Sequence, residues 1–251
     1  MKLTIIGSGS MATALSIGLQ KYYELEVVAR DISKAELLAS KLDKPLDIYP
    51  LNNYDITGKT VLLCVKPYSL DEVAANLKGE ATSLISILAS TPIKTLANTI
   101  KAKHIVRAMP NVSAALSAST TTLVGSRELK KEALKIFGAI GDAFWLESEK
   151  ELDIATAIAG SGPAYLALIA EAMMDGGVKQ GLKRDDSMKI VRSLFKGFAP
   201  LLANLHPALI KDSVMSPAGT TAAGYAALEE GGTRDAFIKA IEHAFKVTQK
   251  K

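Results

Sequence analysis

Gly7-Ser8-Gly9-Ser10-Met11-Ala12 is a G-x-G-x-x-A turn, set directly between the apolar run Leu3-Thr4-Ile5-Ile6 and an Ala- and Leu-rich helical stretch. Its spacing has a physical meaning. Gly7 permits a tight strand-to-helix turn. Gly9 lacks the Cβ that would keep a pyrophosphate off the backbone, and Ala12 is small enough for the new helix to pack on the strand. The free N–H groups of the first helical turn then face the phosphates. The pattern predicts dinucleotide binding, against the plain alternative of an ordinary βα turn.

The end of the second strand decides which dinucleotide. An acidic residue about 20 residues beyond the turn would bind the ribose hydroxyls of NAD. The strand at 26–29 ends instead in Ala29-Arg30, with Ser33 and Lys34 just beyond. A guanidinium binds a 2′-phosphate bidentately, so Arg30 and Ser33 point to NADP(H), with NAD(H) as the alternative. Ser33 has a second reading, because Ser33-Lys34-Ala35-Glu36 spells a capping box; that role is compatible with phosphate contact. Lys34 read alone is a solvated charge.

Three further loops hold residues fit for chemistry. Val65-Lys66-Pro67 leaves a strand at its C-terminal end, the edge where doubly wound folds bind ligands; it would line the nicotinamide side, or be a strand exit stopped by proline. Asn111, in Arg107-Ala108-Met109-Pro110-Asn111, offers donor and acceptor at the same edge, or simply forms a turn. Ser216-Pro217-Ala218-Gly219-Thr220-Thr221 leads into a helix at 220–229, where hydroxyls and amides converge on a helix N-terminus. That suits a carboxylate, with capping by Thr220 as the alternative. A carbonyl reductase of this architecture uses Lys or His as proton donor, yet the helix at 164–175 has no lysine. His104 opens a strand, His206 precedes Pro207 in a turn, and His243 lies in the last helix, so each reads as structural or solvated. A protonated cyclic imine fits this lack of an acid, because it is already electrophilic and needs mainly positioning.

The elements that must position these residues change character along the chain. Strand-like runs at 2–6, 26–29, 60–65, 83–88, 104–109, 120–124 and 143–146 alternate with helical stretches at 11–21, 33–42, 69–77, 92–100 and 128–137. Such alternation predicts a Rossmann-type doubly wound, mostly parallel α/β sheet over 1–148. Ser69-Leu70-Asp71-Glu72 reads as a second capping box, and Pro92 as a first helical residue. Beyond Glu149 helical periodicity takes over, so 149–251 is expected to be all-helical, with helices at 151–157, 164–175, 188–202, 207–213, 220–229 and 233–248. Residues 165–170 are apolar all round their helix, which must be buried on every side; a domain this small cannot enclose it, which predicts a subunit partner.

Composition excludes several classes. The chain has 251 residues, 48% hydrophobic and 22% charged, with a net charge of +4. That small surplus is spread over both halves and argues against nucleic acid. A single cysteine, Cys64, excludes an internal disulfide and multi-cysteine metal sites, so no metal is expected. In its apolar run it reads as a small core residue. The longest uncharged stretch, 154–170, has 17 residues and is interrupted by Gly160-Ser161-Gly162-Pro163. It reads as a buried helix and not a membrane span. With a strand starting at Lys2 and no signal peptide, a cytoplasmic protein is expected.

Taken together, the motifs resemble those of pyrroline-5-carboxylate reductases over essentially the whole chain. The resemblance rests on Gly7-x-Gly9-x-Met11, Val65-Lys66-Pro67, Met109-Pro110-Asn111 and Gly160-Ser161-Gly162-Pro163-Ala164-Tyr165. It continues through Asp175-Gly176-Gly177-Val178, His206-Pro207, Lys211-Asp212-x-Val214-x-Ser216-Pro217-x-Gly219-Thr220-Thr221 and Gly231-Gly232-x-Arg234. It implies NAD(P)H-dependent reduction of 1-pyrroline-5-carboxylate to L-proline, the final step of proline synthesis. It also implies a homodimer through the helical domain, with larger rings of dimers in some members. It further implies that Ser216 and the amides of Gly219, Thr220 and Thr221 hold the substrate carboxylate, that the Thr221 hydroxyl bonds the ring nitrogen, and that Gly9, Ser10, Met11, Asn52, Val65, Lys66 and Pro67 contact the cofactor. The family commonly has glycine where this chain has Ala218, which matters if that position needs positive φ. Two other readings stand beside this one. A β-hydroxyacid or ketopantoate-type dehydrogenase would need the absent helix lysine. A non-catalytic NADP-binding sensor would have no use for Ser216 and Thr221.

Overall fold

The computed structural model describes residues 1–249. Its elements run β1 (Lys2–Ile6), α1 (Ser10–Leu19), β2 (Glu24–Ala29), α2 (Ile32–Ala39), β3 (Asp47–Pro50), β4 (Tyr54–Asp55), β5 (Thr60–Leu63), α3 (Leu70–Ala75), β6 (Leu77–Lys78), β7 (Ala81–Ser86), α4 (Ile93–Thr99), β8 (Ala102–Met109), β9 (Ser119–Gly125), α5 (Lys130–Gly138) and β10 (Gly141–Trp145). Then come α6 (Glu149–Ala155), α7 (Gly162–Lys179), α8 (Arg184–Asn204), α9 (Pro207–Val214), α10 (Thr220–Glu230) and α11 (Thr233–Thr248).

Eight strands form one sheet in the order β10-β9-β8-β7-β5-β1-β2-β3, and β4 and β6 make a separate two-stranded ribbon. Every pair in the large sheet is parallel except β8 with β9. All seven strands read from the sequence are present. They were legible because a parallel sheet covered on both faces reads as continuous apolar runs. Alternate residues feed two cores: Leu3, Ile5, Val27 and Leu62 pack with Leu15 and Phe137, while Ile6, Val28, Val61 and Leu63 pack with Leu70 and Leu96. Edge strand β3 escaped the reading, because it is short, half-exposed and ends in Pro50.

One buried acid interrupts the apolar pattern. The Glu26 carboxylate in β2, 3% exposed, accepts from Thr4 Oγ1 at 2.6 Å, Tyr54 Oη at 2.7 Å and Lys59 Nζ at 2.8 Å, and lies 3.0 Å from Lys2 Nζ. Burial pushes its pKa up, but these donors outweigh burial and hold it down at about 2. The phenol of Tyr54 is pushed upward by burial and by the same carboxylate.

The chain divides into two compact units: Met1–Ser161 together with the chain from Ala244, and Gly162–His243. The first unit therefore continues past residue 148, and side-chain bonds show why. Arg107 in β8, 2% exposed, pairs with Glu149 at 2.9 Å and Asp153 at 3.1 Å, both on α6. Glu149 also accepts from the Ile93 amide at the start of α4, and Asp153 accepts from Gln249. A π-turn at Thr156–Gly160 follows α6.

The second unit is helical, and its surface is unusual. In α8 only Ser187 and Val191 are buried, and α7, α10 and α11 hold only half-buried and exposed residues within the single chain. Leu166 is 53% exposed, Leu168 64%, Ile190 56% and Leu209 58%. The helix expected to be covered on every side thus leaves Leu166, Ala167 and Leu168 exposed in one chain, as it must if a second chain supplies the cover.

Candidate active site

The glycine-rich turn folds as its spacing requires. Gly7 has φ +118°, and a Cβ there would stand 2.6 Å from the carbonyl oxygen of Cys64. No other residue fits that crossing of β1 and the end of β5. Gly9 caps α1, and the place its Cβ would occupy is open, with nothing within 4 Å. The first helical hydrogen bond runs from Thr13 N to Gly9 O at 2.9 Å. No side chain caps the helix and no acid sits in its first turn. The amides of Ser10, Met11 and Ala12 are thus left without helical partners, a cradle for an anion. Ala12 itself is fully buried.

The other expected cofactor residues gather on the same edge. Val65 lies 3.1 Å from the site of a Gly7 Cβ. Lys66 caps the short 3-10 turn at Pro67–Ser69, and all three exposed residues from Lys66 to Tyr68 follow β5. Asn52 is exposed just after β3, which pairs with the end of β2. Ser33 is exposed in the first turn of α2, but it does not cap it. The cap is Asp31, whose carboxylate accepts from Lys34 N at 3.1 Å. Likewise Ser69 makes no side-chain cap, and Pro92 is itself a cap residue, one step before the helix.

Two of the expected residues have partners that the sequence did not announce. Arg30 stands at the end of β2 as read, but its Nη1 is held 2.8 and 2.7 Å from the two carboxylate oxygens of Glu72 on α3. Nothing near Arg30 in sequence announced this partner; the acid in the helix after β5 was the signal, legible only once β5 and β2 are known to flank β1. Asn111, 8% exposed, spends its amide on the fold. Its oxygen accepts from Ser113 N and its nitrogen donates to Ala159 O, as the turn-forming reading requires.

The second unit carries the hydroxyl-rich segment. Gly219, not Thr220, is the cap of α10, and no side chain caps the helix. The Gly219 amide donates to Ser216 O at 3.1 Å. It closes a turn and is not free for a ligand, so the open donors are the amides of Thr220 and Thr221. The Oγ of Ser216 lies 2.3 Å from where a Gly219 Cβ would be, so a hydroxyl sits over this helix N-terminus only because residue 219 has no side chain. Ala218 adopts φ +54°, the left-handed region. Below the segment, Arg234 bonds Tyr225 Oη and pairs with Glu229, while Lys211 stands over the Tyr225 ring. Of the histidines, His206 caps α9 by accepting from Ala208 N, and His104 lies 3.8 Å from Glu128. The role of His206 is structural. Among the described residues no cluster of metal-ligating side chains occurs.

Comparison with known proteins meets this geometry. A reductase of pyrroline-5-carboxylate from Helicobacter pylori is 33% identical over 252 residues, covering 97% of this chain and 97% of that one. The chain belongs to the pyrroline-5-carboxylate reductase family. A relative from Synechocystis is 36% identical over 99% of this chain and 97% of its own. The family model for pyrroline-5-carboxylate reductase dimerisation matches residues 149–251, and one for NADP oxidoreductase, coenzyme F420-dependent, matches 2–90. Solved family members share the fold. The Coxiella burnetii reductase has a TM-score of 0.85 at 27% identity, covering 98% of this chain and 97% of that one. The Plasmodium falciparum enzyme, solved with NADP bound, has 0.83 at 28%, covering 99% and 98%.

Proposed function

We infer that the chain reduces 1-pyrroline-5-carboxylate to L-proline with NAD(P)H, and that Ser216 to Thr221 hold the substrate. The observation carrying this is the uncapped N-terminus of α10 beneath the Ser216 hydroxyl, in a chain related to these reductases over its whole length. Neither a hydroxyacid dehydrogenase nor a sensor is favoured, since α7 has no lysine before Lys179 and the hydroxyl segment is intact.

The residues present fit the nucleotide. The open Gly9 position and the unpartnered amides of Ser10 and Met11 would hold its phosphates, Val65, Lys66 and Pro67 its nicotinamide half, and Arg30, Ser33 and Asn52 its adenosine half. When bound, the reduced nicotinamide supplies the hydride. The chain's own work is to bind and orient. The Thr220 and Thr221 amides and the Ser216 Oγ would anchor a carboxylate with help from the helix dipole. The Thr221 hydroxyl would hold the ring nitrogen. An iminium carbon accepts hydride without an enzyme acid, so positioning supplies most of the rate.

We also propose a cytoplasmic homodimer built through 149–251, with rings of dimers as a further possibility of the family. One helical segment, Glu149–Lys179, is long and apolar enough to cross a membrane. It lies inside the dimerisation match, and neighbouring helices are just as bare, which favours a protein partner over lipid and nucleic acid alike.

NADPH oxidation with pyrroline-5-carboxylate against 2-keto acids tests the reading. Ser216→Ala should raise KM with kcat nearly constant, since carboxylate binding is alike in ground and transition states. Thr221→Ala should also lower kcat, by about tenfold for a lost polar contact. Activity on 2-keto acids alone, or a histidine-to-Gln change that abolishes turnover in folded protein, would overturn the imine reading.

A further inference from the structure

Arg30 follows β2, and Glu72 lies on the helix that follows β5. In the sheet β1 stands between those two strands, so the pair spans the C-terminal edge of β1. That edge, where strand order reverses, is where a doubly wound sheet admits a dinucleotide. The contact is close, with Nη1 at 2.8 and 2.7 Å from the carboxylate oxygens, and both side chains are open to solvent, at 69% and 49%. One neighbouring pair is engaged as well: Lys34 lies 3.3 Å from Asp31, which caps α2.

We propose that Glu72 is a specificity-determining residue that acts through Arg30, by holding the guanidinium that a 2′-phosphate must claim. The proposal rests on the reading of Arg30 as the phosphate-binding cation. A 2′-phosphate carries about −1.5 to −2 charge against −1 for the carboxylate, so it wins the exchange. A cofactor ending in a 2′-hydroxyl offers Arg30 no comparable partner and leaves the pair intact. Glu72 therefore taxes NADPH and spares NADH, narrowing the discrimination that Arg30 creates. Exposed ion pairs of this kind correspond to roughly a two- to fivefold change in an equilibrium.

Titration calorimetry on the full chain tests this without turnover, using 2′,5′-ADP, NADPH and NADH at fixed low ionic strength. Glu72→Gln should tighten 2′,5′-ADP and NADPH about two- to fivefold and leave NADH unchanged. Arg30→Ala should weaken the two ligands that carry a 2′-phosphate, 2′,5′-ADP and NADPH, about tenfold or more. In the double variant the gain from Glu72→Gln should vanish. Steady-state kinetics of Glu72→Gln should show a matching fall in KM for NADPH at constant kcat. If Glu72→Gln leaves NADPH unchanged or weakens it while Arg30→Ala is selective, Glu72 is no competitor, and the Arg30 reading survives alone. If the gain persists without Arg30, Glu72 repels the phosphate directly, and the proposed route is wrong. If Arg30→Ala weakens NADPH and NADH alike, the reading of Arg30 fails and takes the proposal with it.

Discussion

Ala218→Gly should make the protein more stable. Ala218 sits at φ +54° in the loop that carries Ser216 and leads into α10. A Cβ in the left-handed region costs roughly 1–2 kcal/mol, and within one chain the exposed position offers nothing that a glycine would lose by way of packing. Glycine gives back about 0.4–1 kcal/mol through the greater entropy of its unfolded chain. The net gain is then about 0.5–1 kcal/mol, or about 1–4 °C in Tm for a chain of this size. Scanning calorimetry at one protein concentration reads it, since dimerisation makes Tm depend on concentration. Ala223→Gly, an exposed position inside α10, is the matched control. There the same substitution should cost about 1 kcal/mol and lower Tm. The KM for substrate should stay within about twofold in Ala218→Gly, because the loop already has the shape glycine prefers. A fall in Tm for Ala218→Gly would refute the strain argument. A large drop in KM would mean that the alanine distorts the carboxylate site and not only the backbone.

The Glu26 cluster should give a distinct acid limb. A carboxyl held at about 2 instead of 4.5 adds stability that is complete above pH 5 and is lost as pH falls toward 2. Urea melts from pH 7 to pH 3 should lose about 2–3 kcal/mol through this group, and Glu26→Gln should flatten that slope while lowering stability at pH 7; an unchanged slope would show that the cluster is not linked to folding. Arg107→Met should strand Glu149 and Asp153 and cost about 3 kcal/mol in urea denaturation, and a neutral result would mean that the tie between β8 and α6 adds nothing. Cys64 is buried, with its thiol pushed up to about 12 by burial. At pH 8 it should resist a disulfide exchange reagent until the chain is unfolded, and rapid labelling of native protein would contradict its place in the core.

How much of this was legible in the sequence depends on the range of the interaction. The βα alternation, the tight turn at Gly7 and the switch to helices at Glu149 follow from chain stiffness, from continuous apolar runs and from the 3.6-residue helical period, so neighbours in sequence were enough. The open helix starts at Gly9 and Gly219 were nearly legible for the same reason, although the Gly219 amide turned out to be used within its own turn. What escaped was set by partners far apart in the chain. Glu26 looked like any residue of an apolar strand, yet it is the centre of a four-donor cluster drawn from Lys2, Thr4, Tyr54 and Lys59. Arg30 was placed correctly, but its engagement with Glu72, 42 residues on, depends on β1 separating β2 from β5. Asn111 makes its turn bond locally, to Ser113 N, but its second bond, to Ala159 O, comes from 48 residues on. Local conformation is decided by a few adjacent residues, whereas a charge in a fold is defined by whichever opposite charge the topology brings within about 3 Å.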